Sequence, residues 1–172
     1  GVECYERLKS KGPTGASYFS PLSTGITFAL TEKVPGDKIP LLTMGYGRSE
    51  SRNGAVFPWQ LADRMELHYM PSLGGEFFLW EEPLQEISMF HAAPAMDFLR
   101  VEIETRVART YEWVLHHTAS PKEVGESSGA YRRAVSQQAM QAGTWWHDDV
   151  RNDLHVLLRA DADTDRIVNI SF

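Results

Sequence analysis

The strongest pattern in the chain is an alternation of apolar and polar residues across residues 99–115. One parity carries apolar and aromatic side chains, at Leu99, Val101, Ile103, Val107, Tyr111 and Trp113. The other parity is rich in Glu and Arg. Successive side chains of a β-strand point to opposite faces, so a period of two predicts one long, bent strand with the first set facing inward. A helix is the alternative, because several of the apolar residues also repeat at every fourth position.

Shorter apolar runs elsewhere are bounded by Gly and Pro, which is typical of strands. The predicted strands cover residues 25–31, 39–46, 76–80, 87–91 and the second half of 61–70. The final segment, 153–172, holds two alternating runs around an Asp-rich stretch, which predicts a C-terminal hairpin. A short helix is predicted near the start of the chain, at residues 2–9.

A second kind of pattern, typical of helices, covers residues 120–143. Ser120, Pro121 and Glu123 form an S-x-x-E sequence with proline at the first helical position, which indicates a helix N-terminus. A helix is then predicted at residues 129–142, with Ser127 or Ser128 as its N-cap. Gly143 follows the helix as its C-terminal stop.

These elements predict an α+β fold. We expect a curved, largely antiparallel sheet, barrel- or cone-like, with one substantial late helix and the C-terminal hairpin. A chain of 172 residues fits one domain, 1–172, and is long enough to bury a core without disulfides.

Composition and charge narrow the partners and the compartment. The net charge is −6, and an acidic surface disfavours nucleic acid as a partner. No run of about 18 apolar residues is present, so no membrane span is expected, and residues 1–15 lack the apolar centre of a signal peptide. Cys4 is the only cysteine, which suits a reducing compartment and predicts a cytoplasmic protein. The sequence is compatible with a homo-oligomer and does not define the oligomeric state.

One short motif bears on chemistry directly. Residues 125–129, GESSG, match G-x-S-x-G, and GESSGA resembles the serine segment of carboxylesterases. The resemblance implies that Ser127 is the nucleophile of a serine hydrolase. A nucleophile elbow requires a strand that enters the serine and a helix that leaves it, whereas the residues just upstream indicate a helix start. A capping role for Ser127 is therefore preferred, and the hydrolase is kept as an alternative.

The histidines supply the preferred catalytic candidates. His116, His117, His147 and His155 lie within one span, 116–155. His147 follows two tryptophans and is close to Asp149, so we predict His147 as an acid–base group oriented by that carboxylate. His116 and His117 are the second choices. The spacing matches no metal signature, so neither a metal nor an organic cofactor is expected. The competing interpretation is that His147 is an ordinary structural residue.

Aromatic residues make up 11% of the chain and many lie on the predicted strands. The predicted ligand-binding residues are Trp80, Tyr111, Trp113 and Trp146. The sequence thus predicts a protein with a pocket for a small apolar or aromatic ligand. If the protein is an enzyme, the prediction is a cofactor-independent lyase, isomerase or cyclase. An interaction or assembly module that uses the same aromatic face is the alternative from another class.

Overall fold

The computed structural model describes the backbone of residues 16–18, 26–30, 54–56, 64–69, 75–81, 84 and 86–172. Side chains are described at residues 67, 69, 79, 84 and 86–172. The predicted helix 2–9, the predicted strand 39–46, Cys4 and the side chain of Trp80 lie outside the described residues.

The described part of the chain is built from strands. In chain order they are β1 (Ala16–Tyr18), β2 (Ile26–Leu30), β3 (Gly54–Val56), β4 (Arg64–Tyr69), β5 (Gly75–Glu81), β6 (Glu86–Ala95), β7 (Phe98–Thr105), β8 (Arg109–Leu115), β9 (Glu123–Glu126), β10 (Gly129–Ala130), β11 (Arg132–Arg133), β12 (Thr144–Asp148), β13 (Asp153–Ala160) and β14 (Thr164–Ser171). The strands predicted at 25–31, in the second half of 61–70, at 76–80 and at 87–91 are confirmed by β2, β4, β5 and β6.

The strands form two sheets of seven strands each. Sheet 1 has the order β1-β2-β4-β8-β13-β12-β11, and sheet 2 has the order β10-β9-β14-β7-β6-β5-β3. Neighbouring strands are antiparallel except for the parallel pairs β4–β8, β3–β5 and β11–β12. The antiparallel character is as predicted, but neither sheet closes on itself, so the barrel- or cone-like arrangement is wrong.

Residues from both sheets form one hydrophobic core. Its members on sheet 1 include Leu67, Tyr69, Tyr111, Trp113, Leu115, Trp145, Leu154, Val156, Leu158 and Ala160. Its members on sheet 2 include Leu79, Phe90, Ala92, Leu99, Val101, Ile103, Val124, Val168 and Ile170. Each set follows the period of two along its strands, so one face of each sheet is turned toward the core and the other face is its outer face.

The long strand predicted at 99–115 is wrong, because it is two strands in different sheets. β7 belongs to sheet 2 and β8 to sheet 1, and the chain crosses between them at residues 106–108. The Thr105 hydroxyl makes this corner: Oγ1 donates to the carbonyl of Val107 at 2.6 Å and accepts from the Val107 amide at 3.1 Å. A hydroxyl-based turn needs no glycine or proline, which is why no break is visible in the sequence.

The prediction of a C-terminal hairpin is also wrong, because its two strands lie in different sheets. Its two strands exist as β13 and β14, but β13 lies in sheet 1 and β14 pairs with β7 and β9 in sheet 2. The two sheet-crossing corners lie side by side, because Thr105 pairs with Thr164 and Arg109 with Ala160. We call residues 105–109 and 160–164 the arched end.

The prediction of a late helix at residues 129–142 is also wrong, so the predicted α+β fold with one substantial helix is not the fold of this protein. Residues 129–142 contain β10, β11 and a 3₁₀ turn, Gln137–Ala139, and the described residues contain no α-helix. The Tyr131 amide instead donates to Val124 at 2.7 Å, and the Ala134 amide to Trp145 at 2.7 Å. The segment lacks an apolar stripe, so its helix propensity is outweighed by these strand contacts. No described helix has the length and apolar character that crossing a bilayer requires.

Candidate functional site on the outer face of sheet 1

A buried carboxylate lies on the outer face of sheet 1. Along β8, Tyr111, Trp113 and Leu115 point into the core, so Glu112 points the opposite way. Glu112 nevertheless has no exposed surface. A buried carboxylate requires polar partners, because an unpaired charge away from water is strongly unfavourable.

The partner of this carboxylate is His155, which points outward from the neighbouring strand β13. Nδ1 of His155 lies 2.8 Å from Oε1 of Glu112. A carboxylate oxygen accepts, so Nδ1 carries the hydrogen, and in the neutral ring Nε2 carries the lone pair. Among the contacts of the described residues, Nε2 of His155 has no hydrogen-bond partner. The His155 side chain is largely buried, with 11% of its surface exposed.

Gln137 and Trp146 complete the cluster. The Gln137 amide nitrogen donates to Oε1 of Glu112 at 3.4 Å and lies 3.5 Å from Nδ1 of His155. Trp146 is the register neighbour of His155 on β12, and its ring centroid is 5.3 Å from the imidazole centroid. The indole is partly exposed and Gln137 is exposed. An aromatic surface, an amide, an imidazole and a carboxylate therefore meet at one place, which we call the Trp146 cluster.

His116 and His117 lie just beyond the end of β8. Nδ1 of His116 is 3.1 Å from Oδ1 of Asp153, and both side chains are almost fully buried. His117 is exposed and has a positive φ of 56°. The two imidazole centroids are 6.5 Å apart. Their predicted catalytic role stays a prediction.

His147 has the carboxylate partner that the sequence predicts. Its Nδ1 lies 2.7 Å from Oδ1 of Asp149, and its Nε2 lies 2.9 Å from the carbonyl oxygen of Thr118. Both ring nitrogens thus face acceptors, whereas a general base needs a nitrogen whose lone pair is open to the substrate. This geometry links the turn after β12 to the segment after β8. A catalytic role for His147 and Asp149 stays a prediction.

The predicted aromatic ligand residues have different environments. Tyr111 and Trp113 have no exposed surface and pack in the core, while Trp146 is partly exposed on the outer face. Tyr69 OH and Trp113 Nε1 are buried in the core and have no hydrogen-bond partner among the residues that the structure describes. Burial raises the pKa of Tyr69 to about 12. Binding of a ligand by Tyr111, Trp113 or Trp80 stays a prediction.

Ser127 lies in the two-residue turn of a β-hairpin. Glu126 at the end of β9 pairs with Gly129 at the start of β10, and the side chain of Ser127 is exposed. A side chain at Gly125 would come within 2.8 Å of the Gly129 carbonyl, and Gly129 has a φ of 150°. The glycines of G-x-S-x-G therefore serve the hairpin. The arrangement is strand-turn-strand, not the strand-turn-helix of an elbow, and the helix-cap interpretation is wrong.

Neither Glu112 nor Gln137 is predicted from the sequence as a site residue, and His155 ranks there below the other three histidines of its span. Glu112 stands inside the apolar run YEWVL, and His155 inside LHVLL. A single polar residue within a buried strand is a usable sign of a polar network. Gln137 carries no such sign, because its position depends on the 3₁₀ turn that brings it over the sheet. Among the described residues, no group of three or more possible metal ligands is close enough to bind an ion.

No protein-family profile matches the chain, and no curated protein matches it in sequence. Solved structures do share its fold. The uncharacterized protein lmo2446 of Listeria monocytogenes EGD-e, in complex with α-D-glucose, β-D-glucose, magnesium and calcium, has a TM-score of 0.60 at 11% identity. The match covers 87% of this chain and 13% of that one.

Two further matches cover the same share of this chain. The cycloalternan-forming enzyme of Listeria monocytogenes, in complex with a pentasaccharide substrate, has a TM-score of 0.57 at 13% identity, over 87% of this chain and 13% of that one. The GH31 dextranase of Flavobacterium johnsoniae, complexed with glucose, has a TM-score of 0.56 at 9% identity, over 87% and 19%. At such identities the likeness shows the fold alone, and the chain spans less than a fifth of each of these proteins.

Proposed function

We propose that the protein binds a saccharide through the Trp146 cluster. The observation that carries the proposal is the partly exposed indole of Trp146, which lies 5.3 Å from the imidazole of His155 and beside hydrogen-bonding groups fixed by Glu112. The proposed ligand is a small molecule, as expected from the sequence, but it is polyhydroxylated rather than apolar or aromatic.

The chemistry of a sugar ring fits such a surface. A pyranose has an apolar face of C–H bonds and a rim of hydroxyl groups. The flat apolar face of the Trp146 indole can pack against the C–H face. The amide of Gln137 can donate a hydrogen bond to a sugar hydroxyl, and Nε2 of His155 can accept one. Because Glu112 and His155 hold each other in place, little side-chain freedom is lost on binding.

The structural comparisons support the proposal at the level of fold. The matched proteins were solved with glucose or with a pentasaccharide, and this chain spans a domain-sized part of each. A role as one domain of a larger saccharide-processing protein is part of the proposal. So is the cytoplasmic location expected from the single cysteine, which cell fractionation would test.

Saturation-transfer NMR and titration calorimetry with glucose, maltose, isomaltose and short dextrans test the binding. We expect Trp146→Ala to weaken affinity by about tenfold or more, equivalent to about 1.4 kcal/mol, because the apolar face loses its surface. Trp146→Phe should keep part of the affinity. Met96→Ala is the matched control, since Met96 is 96% exposed in the turn between β6 and β7. Equal binding by wild type and Trp146→Ala would refute the proposal.

A further inference from the structure

We infer that Glu112 and His155 form an acid–base site in which Nε2 of His155 takes a proton from an O–H group. The site is separate from the His147–Asp149 pair that the sequence favours. The identity of the natural hydroxyl, on a ligand held over Trp146, rests on the proposed function. The acid–base chemistry itself does not.

The geometry meets the requirements for an oriented base. The hydrogen bond of 2.8 Å between Nδ1 and Glu112 fixes the ring orientation and the tautomer. Nε2 is left with its lone pair, and 11% of the His155 side chain is exposed. Three other imidazole–carboxylate pairs of the described residues differ: His116 is buried with Asp153, both nitrogens of His147 face acceptors, and the His91 side chain beside Glu102 is 42% exposed.

The proton balance of the step is simple. Nε2 forms an N–H bond as the O–H bond of the hydroxyl or water breaks, and the electron pair of that bond stays on oxygen, which becomes the nucleophile. The imidazolium that results faces the Glu112 carboxylate, whose negative charge stabilises it within a poorly hydrated environment. The proton then leaves Nε2 for solvent or for the leaving group. Glu112 never touches the substrate and acts as a positioning residue.

The tautomer of His155 in the wild-type protein is the first test. Long-range ¹H–¹⁵N NMR assigns the hydrogen of each neutral imidazole ring to Nδ1 or to Nε2. We expect the Nδ1–H form for His155, because Nδ1 donates to Glu112. This measurement needs no variant, so it remains decisive even if variants at the buried Glu112 fail to fold. An Nε2–H form would overturn the inference.

Hydrolysis of p-nitrophenyl acetate tests the chemistry. Water would lose a proton to Nε2, its oxygen would bond to the acetyl carbon, and p-nitrophenolate would leave. We expect His155→Ala to lower the protein-dependent rate by about tenfold or more, and a normal solvent deuterium isotope effect. His91→Ala is the matched control, since His91 also lies near a carboxylate, Glu102 at 3.6 Å, but its side chain is 42% exposed on sheet 2. Unchanged turnover in His155→Ala would overturn the inference.

Two variants of Glu112 test whether this residue positions His155 or only supports the fold. Glu112→Gln should lower kcat with little change in KM, and Glu112→Asp should recover part of kcat. Equal loss in both variants at matched melting temperature would contradict a positioning role. Failure of saccharide binding with these results intact would reject only the proposed function. Saccharide binding with an Nε2–H tautomer would reject only the acid–base site.

Discussion

The two ends of β8 and β13 use polar residues in opposite ways. At the arched end, Arg106 pairs with the carboxylates of Glu86 at 3.8 Å and Asp163 at 3.6 Å, and those acidic side chains are 54% and 72% exposed. At the other end, which we call the histidine end (residues 112–118 and 147–155), His116 and Asp153 pair at 3.1 Å with only 3% and 4% exposure. The ion pairs at the two ends therefore differ more in the exposure of their side chains than in the distance between the charged atoms.

Burial decides how much the loss of one charged partner costs in stability. An exposed ion pair gains little, because water screens it and two long side chains must be held still. A buried pair costs desolvation to form, but the loss of one partner leaves the other stranded. The exposed ion pairs of Arg106 at the arched end should therefore tolerate charge changes, whereas the buried pair of His116 and Asp153 should not.

The largest expected effect is at Asp153. We expect Asp153→Ala to lower the free energy of unfolding by about 3–5 kcal/mol, because His116 would stay buried without this carboxylate. Urea denaturation measures the change. The double variant His116→Phe/Asp153→Leu should recover part of the loss, since neither member of the ion pair is then left without the other. A loss below about 1 kcal/mol for the single variant would erase the contrast between the two ends.

At the arched end, the Thr105 hydroxyl should matter more for stability than the exposed ion pairs of Arg106. Thr105 Oγ1 contacts the amide and the carbonyl of Val107 and the hydroxyl of Tyr111, the last at 2.8 Å. We expect Thr105→Val, which keeps the shape, to cost about 1–3 kcal/mol in unfolding free energy, because buried polar atoms lose a partner. Thr110→Val on the outer face of β8 is the control and should change stability by less than about 0.5 kcal/mol. Equal costs would mean that the hydroxyl does not make the corner.

The corner at Thr105 also explains how far the sequence could take the fold. Alternation correctly assigned Leu99, Ile103 and Trp113 to the inner face, because a period of two depends only on which face meets the core. It could not reveal that the first two residues lie in one sheet and the third in the other. The parity is unbroken across the corner, and a threonine turn has no distinctive composition.

The candidate site was predictable in kind but not in place. His147 and Asp149 are two residues apart in sequence, so their contact could be predicted. The contact between Glu112 and His155 joins residues 43 apart, and it depends on the register of β8 against β13. Sequence proximity therefore favoured the first pair, while strand pairing created the second.

An intermediate case is the carboxylate of Glu126, at the turn of the β9–β10 hairpin. Burial opposes its ionisation, but hydrogen bonds from Arg166 and Tyr131 outweigh burial and hold the pKa of Glu126 below its ordinary value of 4.5. A carboxyl with a lowered pKa stabilises the fold above its ordinary pKa, and this contribution is lost as pH falls through the folded-state pKa.

The stability of the wild type should therefore fall more steeply below about pH 4.5 than that of Glu126→Gln. Chemical denaturation at several pH values measures the slopes. The difference between the two proteins should be largest near neutral pH and shrink in acid. Glu123→Gln, an exposed change on the same strand, is the control and should follow the wild type. Parallel curves for wild type and Glu126→Gln would show that Arg166 does not stabilise the ionised form.

The smallest expected effect is at Asp163, in the second corner of the arched end. Asp163 has a φ of 54°, a left-handed conformation that Asn tolerates as well as Asp, so Asp163→Asn removes the charge without adding backbone strain. We expect it to change the free energy of unfolding by no more than about 1 kcal/mol, because its ion pair with Arg106 is exposed and screened. A double-mutant cycle with Arg106→Gln, run at low and high salt, isolates the pair. Coupling above about 2 kcal/mol that persists at high salt would mean that charge holds the two corners together, and the contrast with the histidine end would fail.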